Sequence, residues 1–414
     1  MRRNRRRKHS VEASVGKNGP VTKDLNCGKK QKFAVITQAL SSDPVDIETL
    51  RRAASSHGGL LTDELRRKVW PKLLNINAFD LPHRPGKDVR ANHKDCSQVI
   101  LDVKRSMKRF PKGMPVSERG VLQQQLIDVI LEVLKGNPQL HYYQGYHDVA
   151  VTLLLVVGER MAIAMLHTLS NYHLRDFMDP TMDRTKHILN YLMPLLEQVD
   201  ADLHDFMARS EVGTIFALSW LITWYGHVLS VFKHTQRLYD FFLASHPIMP
   251  IYLAASIVLH RKREVMKTEC DMAMVHHLLS HMPEELPYED LICQSQDLFD
   301  QFPPSVLSKR AALQSCKSLS ISTFKEFQLS ILHQRPDSVL RRLHKSKGTT
   351  SPRSALECPS QEAGSLQEKS QRWRTHSNTL VKMAMWGLSA TLGATVLAVA
   401  QTAMDWGPDL LQLF

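Results

Sequence analysis

Two short segments of this 414-residue chain carry polar side chains at spacings that suit chemistry. In the first, a predicted helix, Asp102 and Arg105 stand three residues apart, so both lie on one helix face and the carboxylate can aim the guanidinium. The second is a loop predicted between two helices, where aromatic residues surround Gln144 and Gly145 supplies a special backbone angle. Judged by residue type alone, the same side chains also fit a surface ion pair and a loop cap.

The common catalytic and nucleotide-binding signatures are absent from the sequence. It has no G-x-x-x-x-G-K-[ST] phosphate loop, no G-x-G-x-x-G, no H-E-x-x-H and no G-x-S-x-G. Its histidines include His141, His147 and the neighbours His276 and His277, but no second ligand pair stands at a spacing typical of a metal site. We therefore expect the chain to hold no nucleotide, metal or other cofactor of its own.

The elements that must position these residues are predicted to be helices almost throughout residues 34–340. Thr62 can cap a helix with apolar residues at helical spacing, and a helix over about 122–134 stops at Gly136-Asn-Pro138. Further helical patterns cover about 95–109, 146–170, 186–208, 212–231, 235–245, 248–261, 271–281, 287–300 and 320–334. No alternating run bounded by hairpin turns appears, so the predicted fold class is all-α, with a single large helical domain.

Two uncharged stretches inside this domain, 212–232 and 241–260, resemble membrane spans by composition. The second contains Pro247 and Pro250, which are unfavourable in a helix that faces lipid. The first contains several hydroxyl side chains and His227. We interpret both stretches as buried helices of the core.

The formal net charge of +12 is concentrated in two flanks of the chain. Residues 1–33 contain 11 Lys and Arg residues against 2 acidic residues, and residues 341–374 contain 8 against 3, which leaves 34–340 close to neutral. No nucleic-acid partner is expected, because the body is not basic and the N-terminal flank lacks interleaved aromatic residues. We predict a basic disordered arm over 1–33 and a basic flexible linker over 341–379.

The C-terminal segment predicts a transmembrane anchor over residues 380–404. It includes 22 consecutive uncharged residues, Met383–Met404, which as a helix would span about 33 Å, enough for the hydrocarbon core of a bilayer. Basic residues precede the stretch and only acidic residues follow it, so the positive-inside bias predicts a cytosolic domain and a short lumenal tail over 405–414. The alternative, an amphipathic or core helix, is disfavoured because the stretch has no polar face.

The order of the two polar segments resembles the signature of the TBC-domain GTPase-activating proteins for Rab GTPases. That family has I-x-x-D-x-x-R followed about forty residues later by Y-x-Q, and here Asp102 and Arg105 are followed by Tyr142 and Gln144. The similarity covers about residues 58–332 and includes these supporting segments: Arg67-Lys-Val-Trp70, Ser219-Trp220 and Arg237-Leu-Tyr-Asp240. Two departures are small: Val99 replaces the usual isoleucine, and Tyr-His-Asp follows Gly145 where many members have Met-Asn.

The resemblance implies a TBC fold that accelerates GTP hydrolysis by a GTP-bound Rab of the early secretory pathway, between endoplasmic reticulum and Golgi. It implies that Arg105 is an arginine finger and Gln144 a glutamine finger. Asp102, Tyr142 and Gly145 would be supporting residues. The Rab would carry GTP and Mg²⁺, so the chain would complete the active site of its partner and perform no reaction on a substrate of its own.

The second expected partner is a lipid bilayer, reached through residues 383–404. The expected location is therefore the endoplasmic reticulum membrane or the cis-Golgi, as a single-pass protein with a cytosolic GTPase-activating domain. The main alternative function is a membrane-anchored helical adaptor that binds a Rab or another membrane protein without stimulating hydrolysis. The presence of both Arg105 and Gln144 argues against an adaptor, because a pure scaffold has no need of both.

Overall fold

The computed structural model describes residues 20–86, 88–91, 93–106, 110, 113–308 and 318–348. Within these residues every regular element is helical and no strand is present, which confirms the all-α prediction. The α-helices α1 to α19 are, in order, Pro20–Ser41, Ile47–Ser55, Asp63–Leu73, Cys96–Arg105, Val116–Lys135, Tyr146–Val157, Glu159–Asn171, Asp183–Leu189, Leu192–Val199, Ala201–Arg209, Leu218–Ile222, Phe232–Ala244, Met249–His260, Lys262–Val265, Met272–Ser280, Tyr288–Gln301, Pro304–Leu307, Leu319–Ser330 and Asp337–Gly348. Short 3-10 helices cover Arg175–Met178 and Ile215–Ala217.

The core of the domain is organised around α13. This helix is apolar on nearly its whole circumference, and side chains such as Leu253 and Ile257 are fully buried. It packs against α16, α9 and α11, as expected for a helix that has no polar face to turn towards solvent. The described residues all belong to one compact unit.

Local capping chemistry explains where several helices begin and end. Thr62 accepts a hydrogen bond from the backbone N–H of Leu65 at 3.3 Å and so caps α3, as predicted. The predicted continuous helix over 146–170 is divided into α6 and α7 by Gly158, whose φ is +79°. The predicted helix over 186–208 is also divided, because Asp200 accepts the Leu203 backbone N–H at 3.0 Å and starts α10 afresh.

The stretch 212–231 is core but not the single helix that was predicted. It contains one 3-10 turn, the five-residue α11, and then a turn in which Trp224 and Tyr225 have φ of +47° and +63°. Both side chains are buried, so the apolar pattern reflects packing of a folded turn and not helical periodicity. The neighbouring stretch 241–260 forms the end of α12 and all of α13, buried as predicted.

The predicted basic arm over 1–33 is wrong from residue 20 onwards, because α1 begins at Pro20. Tertiary contacts stabilise this helix: Ile36 is fully buried and α1 packs on α2. In addition, Lys32 donates from Nζ to the His57 carbonyl at 2.8 Å. Composition alone indicated a solvated arm because these contacts come from residues distant in sequence.

The predicted linker over 341–379 is likewise helical at its start, where α19 continues to Gly348. The first turn of α19 is held by Lys72, whose buried Nζ lies 2.8 Å from Asp337 Oδ1. The rest of the linker, the anchor over 380–404 and the tail over 405–414 lie outside the described residues. Among the residues that are described, no helix is both long enough and apolar enough to cross a membrane.

Candidate functional site

Arg105 is the last residue of α4, and its side chain is 62% exposed. The buried face of α4 is formed by Val99, Asp102 and Val103, which leaves Arg105 at the solvent edge. Its Nη1 lies 3.8 Å from Asp102 Oδ1, as the three-residue spacing predicts. The helix dipole also favours a cation in this last turn. The guanidinium is therefore anchored on one side and presented to solvent on the other.

The Asp102 carboxylate is buried, with 1% of the residue exposed, and it needs hydrogen-bond donors for that reason. Gln98 donates from Nε2 to Oδ1 at 3.0 Å. Tyr142 donates from its hydroxyl to Oδ2 at 3.0 Å. Because Gln98 belongs to α4 and Tyr142 to the loop before α6, Asp102 joins the two segments that the sequence analysis singled out.

The protonation state of Tyr142 and the position of its ring are both set by its surroundings. Burial, followed by the neighbouring Asp102 carboxylate, raises the pKa of Tyr142 well above its ordinary value. The phenol therefore keeps its proton at physiological pH and remains a donor to Asp102. Its hydroxyl oxygen also lies 3.3 Å from His147 Nδ1, and its ring meets Tyr146 edge-on with centroids 6.3 Å apart.

Residues 142–145, here called the finger turn, lead directly into α6. The turn is closed by a hydrogen bond from the backbone N–H of Tyr146 to the Tyr143 carbonyl at 3.2 Å. Gly145 has a φ of +107°, and a Cβ at this position would lie 2.9 Å from Thr223 Cγ2, so both conformation and space require glycine. Tyr143 donates from its hydroxyl to the Ile222 carbonyl at 2.7 Å. Gln144 is exposed, and no hydrogen bond joins its side chain to another described residue. The carboxamide is thus carried on a fixed backbone and is open to solvent.

A second turn, formed by residues 222–227 and here called the support turn, lies against the finger turn. Its contacts include the Thr223 methyl group below Gly145 and the Ile222 carbonyl described above. At its end, His227 Nδ1 lies 3.1 Å from Asp148 Oδ2 in the first turn of α6.

The chemistry available at this site is that of one guanidinium and one carboxamide on a rigid, hydrogen-bonded base. A guanidinium stabilises negative charge, and a carboxamide both donates and accepts hydrogen bonds and so can orient a water molecule. In the part of the chain that the structure describes, no group of three His, Cys, Asp or Glu side chains is placed to hold a metal ion. The arrangement suits a reacting group that another molecule supplies.

All five residues singled out from the sequence fall in this one region. Asp102 contacts both Arg105 and Tyr142, at 3.8 Å and 3.0 Å. Gln144 and Gly145 belong to the finger turn that begins at Tyr142. The structure therefore shows their proximity, and the individual roles remain predictions.

Sequence reasoning missed several polar residues around the same site, namely Gln98, Asp148, Thr223 and His227. Asp148 stands four residues after Gln144, in the first turn of an apolar helix, and this position is a signal that the sequence contains. Thr223 and His227 carried no such signal, because His227 is 79 residues from its partner Asp148. Only the folded backbone brings them together.

Comparisons with known proteins identify relatives over most of the chain. A family model described as the Rab-GTPase-TBC domain matches residues 63–266. TBC1 domain family member 20 of Homo sapiens is 57% identical over 393 residues, which are 94% of this chain and 94% of the human protein. The protein of the same name from Bos taurus is 56% identical with the same coverage. GTPase-activating protein gyp10 of Schizosaccharomyces pombe is 31% identical over 60% of this chain and 67% of its own length.

A solved structure shares the fold. The crystal structure of the Ypt/Rab-GAP domain of Gyp1p superposes with a TM-score of 0.53 and covers 66% of this chain and 98% of that one. At 16% sequence identity this likeness shows the fold alone.

Proposed function

Because this chain belongs to the TBC-domain family of Rab GTPase-activating proteins, we propose that Arg105 and Gln144 are its arginine and glutamine fingers. The observation that carries the proposal is the shared base of the two exposed side chains. Asp102 lies below Arg105 and accepts a hydrogen bond from Tyr142, which begins the finger turn. Both fingers would enter the active site of a GTP-bound Rab.

The role of Arg105 follows from the charge that develops during phosphoryl transfer. The Rab carries GTP and Mg²⁺, and negative charge is spread over the oxygens of the transferring group. A guanidinium supplied by a second protein stabilises this charge, with an effect of about 10³–10⁵ on the rate in related GTPases. Arg105 fits because it extends into solvent while Asp102 restricts its orientation, so less freedom is lost on insertion.

The role of Gln144 follows from the attacking water. A carboxamide can accept a hydrogen bond from the water and donate one to a neighbouring acceptor, which fixes the direction of attack. Gln144 is exposed, and the backbone on either side of it is held by Tyr143 and Gly145.

Three supporting residues connect the fingers. Asp102 orients the guanidinium of Arg105, and Tyr142 links that carboxylate to the finger turn. Gly145 allows the left-handed backbone that turns the chain into α6. Since the nucleotide and the metal belong to the Rab, this chain requires no phosphate-binding loop.

Replacement of Gln144 by alanine is expected to lower the maximal rate of stimulated hydrolysis about 10²–10³-fold, because the attacking water loses its orienting group. Affinity for the GTP-bound Rab is expected to change little. The measurement is single-turnover GTP hydrolysis by a panel of purified Rabs of the early secretory pathway, with the full-length chain in detergent micelles.

The matched control is Gln139→Ala, which removes an exposed glutamine that contacts Asn171 and lies outside the finger turn. This variant should keep the wild-type rate. A Gln144→Ala protein that stimulates as well as the wild type would contradict the finger assignment. A wild-type chain that binds GTP-loaded Rabs and leaves hydrolysis unchanged in every one would instead support the adaptor function.

We also propose that residues 383–404 anchor the protein in the endoplasmic reticulum membrane, close to Rabs of the early secretory pathway. The stretch is uncharged, and Trp386 and Trp406 stand near its two ends, where interfacial aromatic residues are common. Lys382 precedes it and Asp405 follows it, in agreement with a cytosolic domain. Anchoring would raise the effective concentration of the fingers near a membrane-bound Rab.

A glycosylation acceptor fused after Phe414 is expected to be modified in microsomes, because residues 405–414 would reach the lumen. The same acceptor placed before Met1 should remain unmodified. Gel mobility before and after enzymatic deglycosylation measures both. If the C-terminal acceptor stays unmodified while the protein is recovered with the membranes, the proposed topology is wrong.

A further inference from the structure

We propose that His227 is a positioning residue that holds the glutamine finger in place through Asp148 and the support turn. The inference rests on the proposed role of Gln144 and adds a residue outside the recognised motif segments.

The contact between His227 and Asp148 is well placed for this role. Asp148 lies in the first turn of α6, is 1% exposed, and has its Oδ2 3.1 Å from His227 Nδ1. When the Asp148 carboxylate is ionised it only accepts hydrogen bonds, so His227 donates from Nδ1 in this contact. His147 Nε2 also lies 3.7 Å from the same oxygen. His227 therefore holds a buried carboxylate from the solvent side.

Asp148 is coupled directly to the finger turn. Its backbone N–H donates to the Gly145 carbonyl at 2.9 Å, so the carboxylate and the turn belong to one hydrogen-bonded unit. The backbone N–H of His227 donates in turn to Thr223 Oγ1 at 3.2 Å. Thr223 is the residue whose methyl group lies below Gly145. His227 is therefore connected to the finger turn in two ways, through Asp148 and through Thr223, and a displacement of His227 would alter the position of Gln144.

The support turn has an unfavourable backbone conformation, which contacts with the surrounding structure must stabilise. Trp224 and Tyr225 have φ of +47° and +63°, a conformation that bulky residues rarely adopt. On the core side, Tyr225 holds it by donating from N–H to the Trp220 carbonyl at 2.7 Å and from its hydroxyl to the Pro250 carbonyl at 2.9 Å. On the other side, the His227 side chain ties it to α6. Such strained backbone is commonly found at functional sites.

His227 is too exposed for its main contribution to be packing in the core. Its side chain is 49% exposed, so truncation leaves little buried volume empty. Its loss should therefore alter the placement of the finger turn more than the stability of the domain.

Three substitutions at His227 test the geometry. Asparagine places its amide N–H close to the position of Nδ1, whereas glutamine places its amide near Nε2. We expect His227→Ala and His227→Gln to lower the maximal stimulated rate about tenfold, with less than a twofold change in KM for the Rab. We expect His227→Asn to recover most of the wild-type rate. The assay is the full-length chain in detergent micelles with a GTP-loaded Rab that responds to the wild type.

The matched control is His204→Ala, which removes the same kind of contact, 3.2 Å from Nδ1 to Asp205 Oδ1, on α10. This variant should keep the wild-type rate. A double variant with Gln144→Ala should be no slower than Gln144→Ala alone, because His227 acts through Gln144. Circular dichroism and melting temperature report on folding, and the Asn and Gln variants carry the test if the alanine variant does not fold.

The outcomes separate this inference from the proposed function. If Gln144→Ala is impaired while His227→Ala retains the wild-type rate, the positioning role is wrong and the finger assignment stands. Equal rates for His227→Asn and His227→Gln, or an effect on KM alone, would also overturn it. If Gln144→Ala itself is unimpaired, the proposed function fails first.

Discussion

Replacement of Arg105 by alanine is expected to lower the stimulated rate of Rab GTP hydrolysis by about 10³-fold or more. The substitution removes the guanidinium that would stabilise charge on the transferring phosphoryl group. It should leave the fold intact, because the side chain is 62% exposed and Asp102 keeps its hydrogen bonds from Gln98 and Tyr142. Single-turnover hydrolysis at saturating concentrations of the full-length chain measures the effect, and binding of the GTP-loaded Rab is measured in parallel.

Arg105→Lys tests whether charge alone is sufficient. Lysine keeps the positive charge but lacks the planar fork, so we expect it to remain at least about tenfold below the wild type. The matched control is Arg84→Ala, which removes an arginine that is 80% exposed and pairs with Glu159 at 3.3 Å. If Arg105→Ala stimulates hydrolysis as Arg84→Ala does, Arg105 is not the arginine finger.

The residues of the candidate site were predictable from sequence where their geometry is local. The contact between Asp102 and Arg105 follows from three-residue spacing on one helix, and the turn at Gly145 follows from the only residue type that fits its φ of +107°. The family resemblance assigns both segments to one site. The hydrogen bond that joins the two segments, from the Tyr142 hydroxyl to Asp102, depends on the fold. The spacing of the residues in the sequence does not predict it.

Thr223 and His227, two polar residues around the site, were not predictable in the same way. They have partners in α6 and the finger turn, far away in sequence, and neither belongs to a periodic pattern. The turn that carries them also contains Trp224 and Tyr225 at positive φ, where the apolar run indicated a helix. Tertiary packing overrides local preference at this turn.

The helix boundaries also differ in how far they could be predicted from sequence. The start of α3 at Asp63 was predicted because Thr62 caps it with a local hydrogen bond. The start of α1 at Pro20 was missed because burial of Ile36 and the contact of Lys32 with His57 come from the rest of the domain. Local chemistry is visible in a single sequence, whereas contacts between distant segments are not.

The supporting motif segments near residues 67–70 and 237–240 also gain a physical meaning, because they meet in one buried network. Asp240 is fully buried and accepts two hydrogen bonds from the guanidinium of Arg66, at 3.0 and 2.9 Å. It also accepts the indole N–H of Trp70 at 2.8 Å and the backbone N–H of Leu60 at 3.0 Å. Gly59 is required here, since a Cβ would lie 2.4 Å from Asp240 Oδ2. The network joins α3 to α12.

Replacement of Asp240 by asparagine is expected to lower the free energy of unfolding by about 3–5 kcal/mol, because the buried guanidinium of Arg66 loses its buried counter-charge. Arg66 then keeps only its contact with the half-exposed Asp63, at 2.9 Å. One carboxylate oxygen becomes an NH₂ group that faces existing donors, so at least one donor is left without an acceptor. Equilibrium urea unfolding of the full-length chain in detergent micelles, followed by circular dichroism, measures the change.

The matched control is Glu64→Gln, which neutralises an exposed carboxylate paired with Lys68 at 2.8 Å on the same helix as Arg66. Its cost should be much smaller than that of Asp240→Asn, because both groups of that pair are solvated. The double variant of Asp240→Asn with Arg66→Met should lower the free energy of unfolding by less than the sum of the two single losses, because each single variant disrupts the same ion pair. A loss below about 1 kcal/mol for Asp240→Asn, no larger than that of the control, would contradict a structural role for this network. A loss of the expected size would assign Trp70 and Asp240, each the last residue of a supporting motif segment, to the stability of the fold, because both side chains belong to this network.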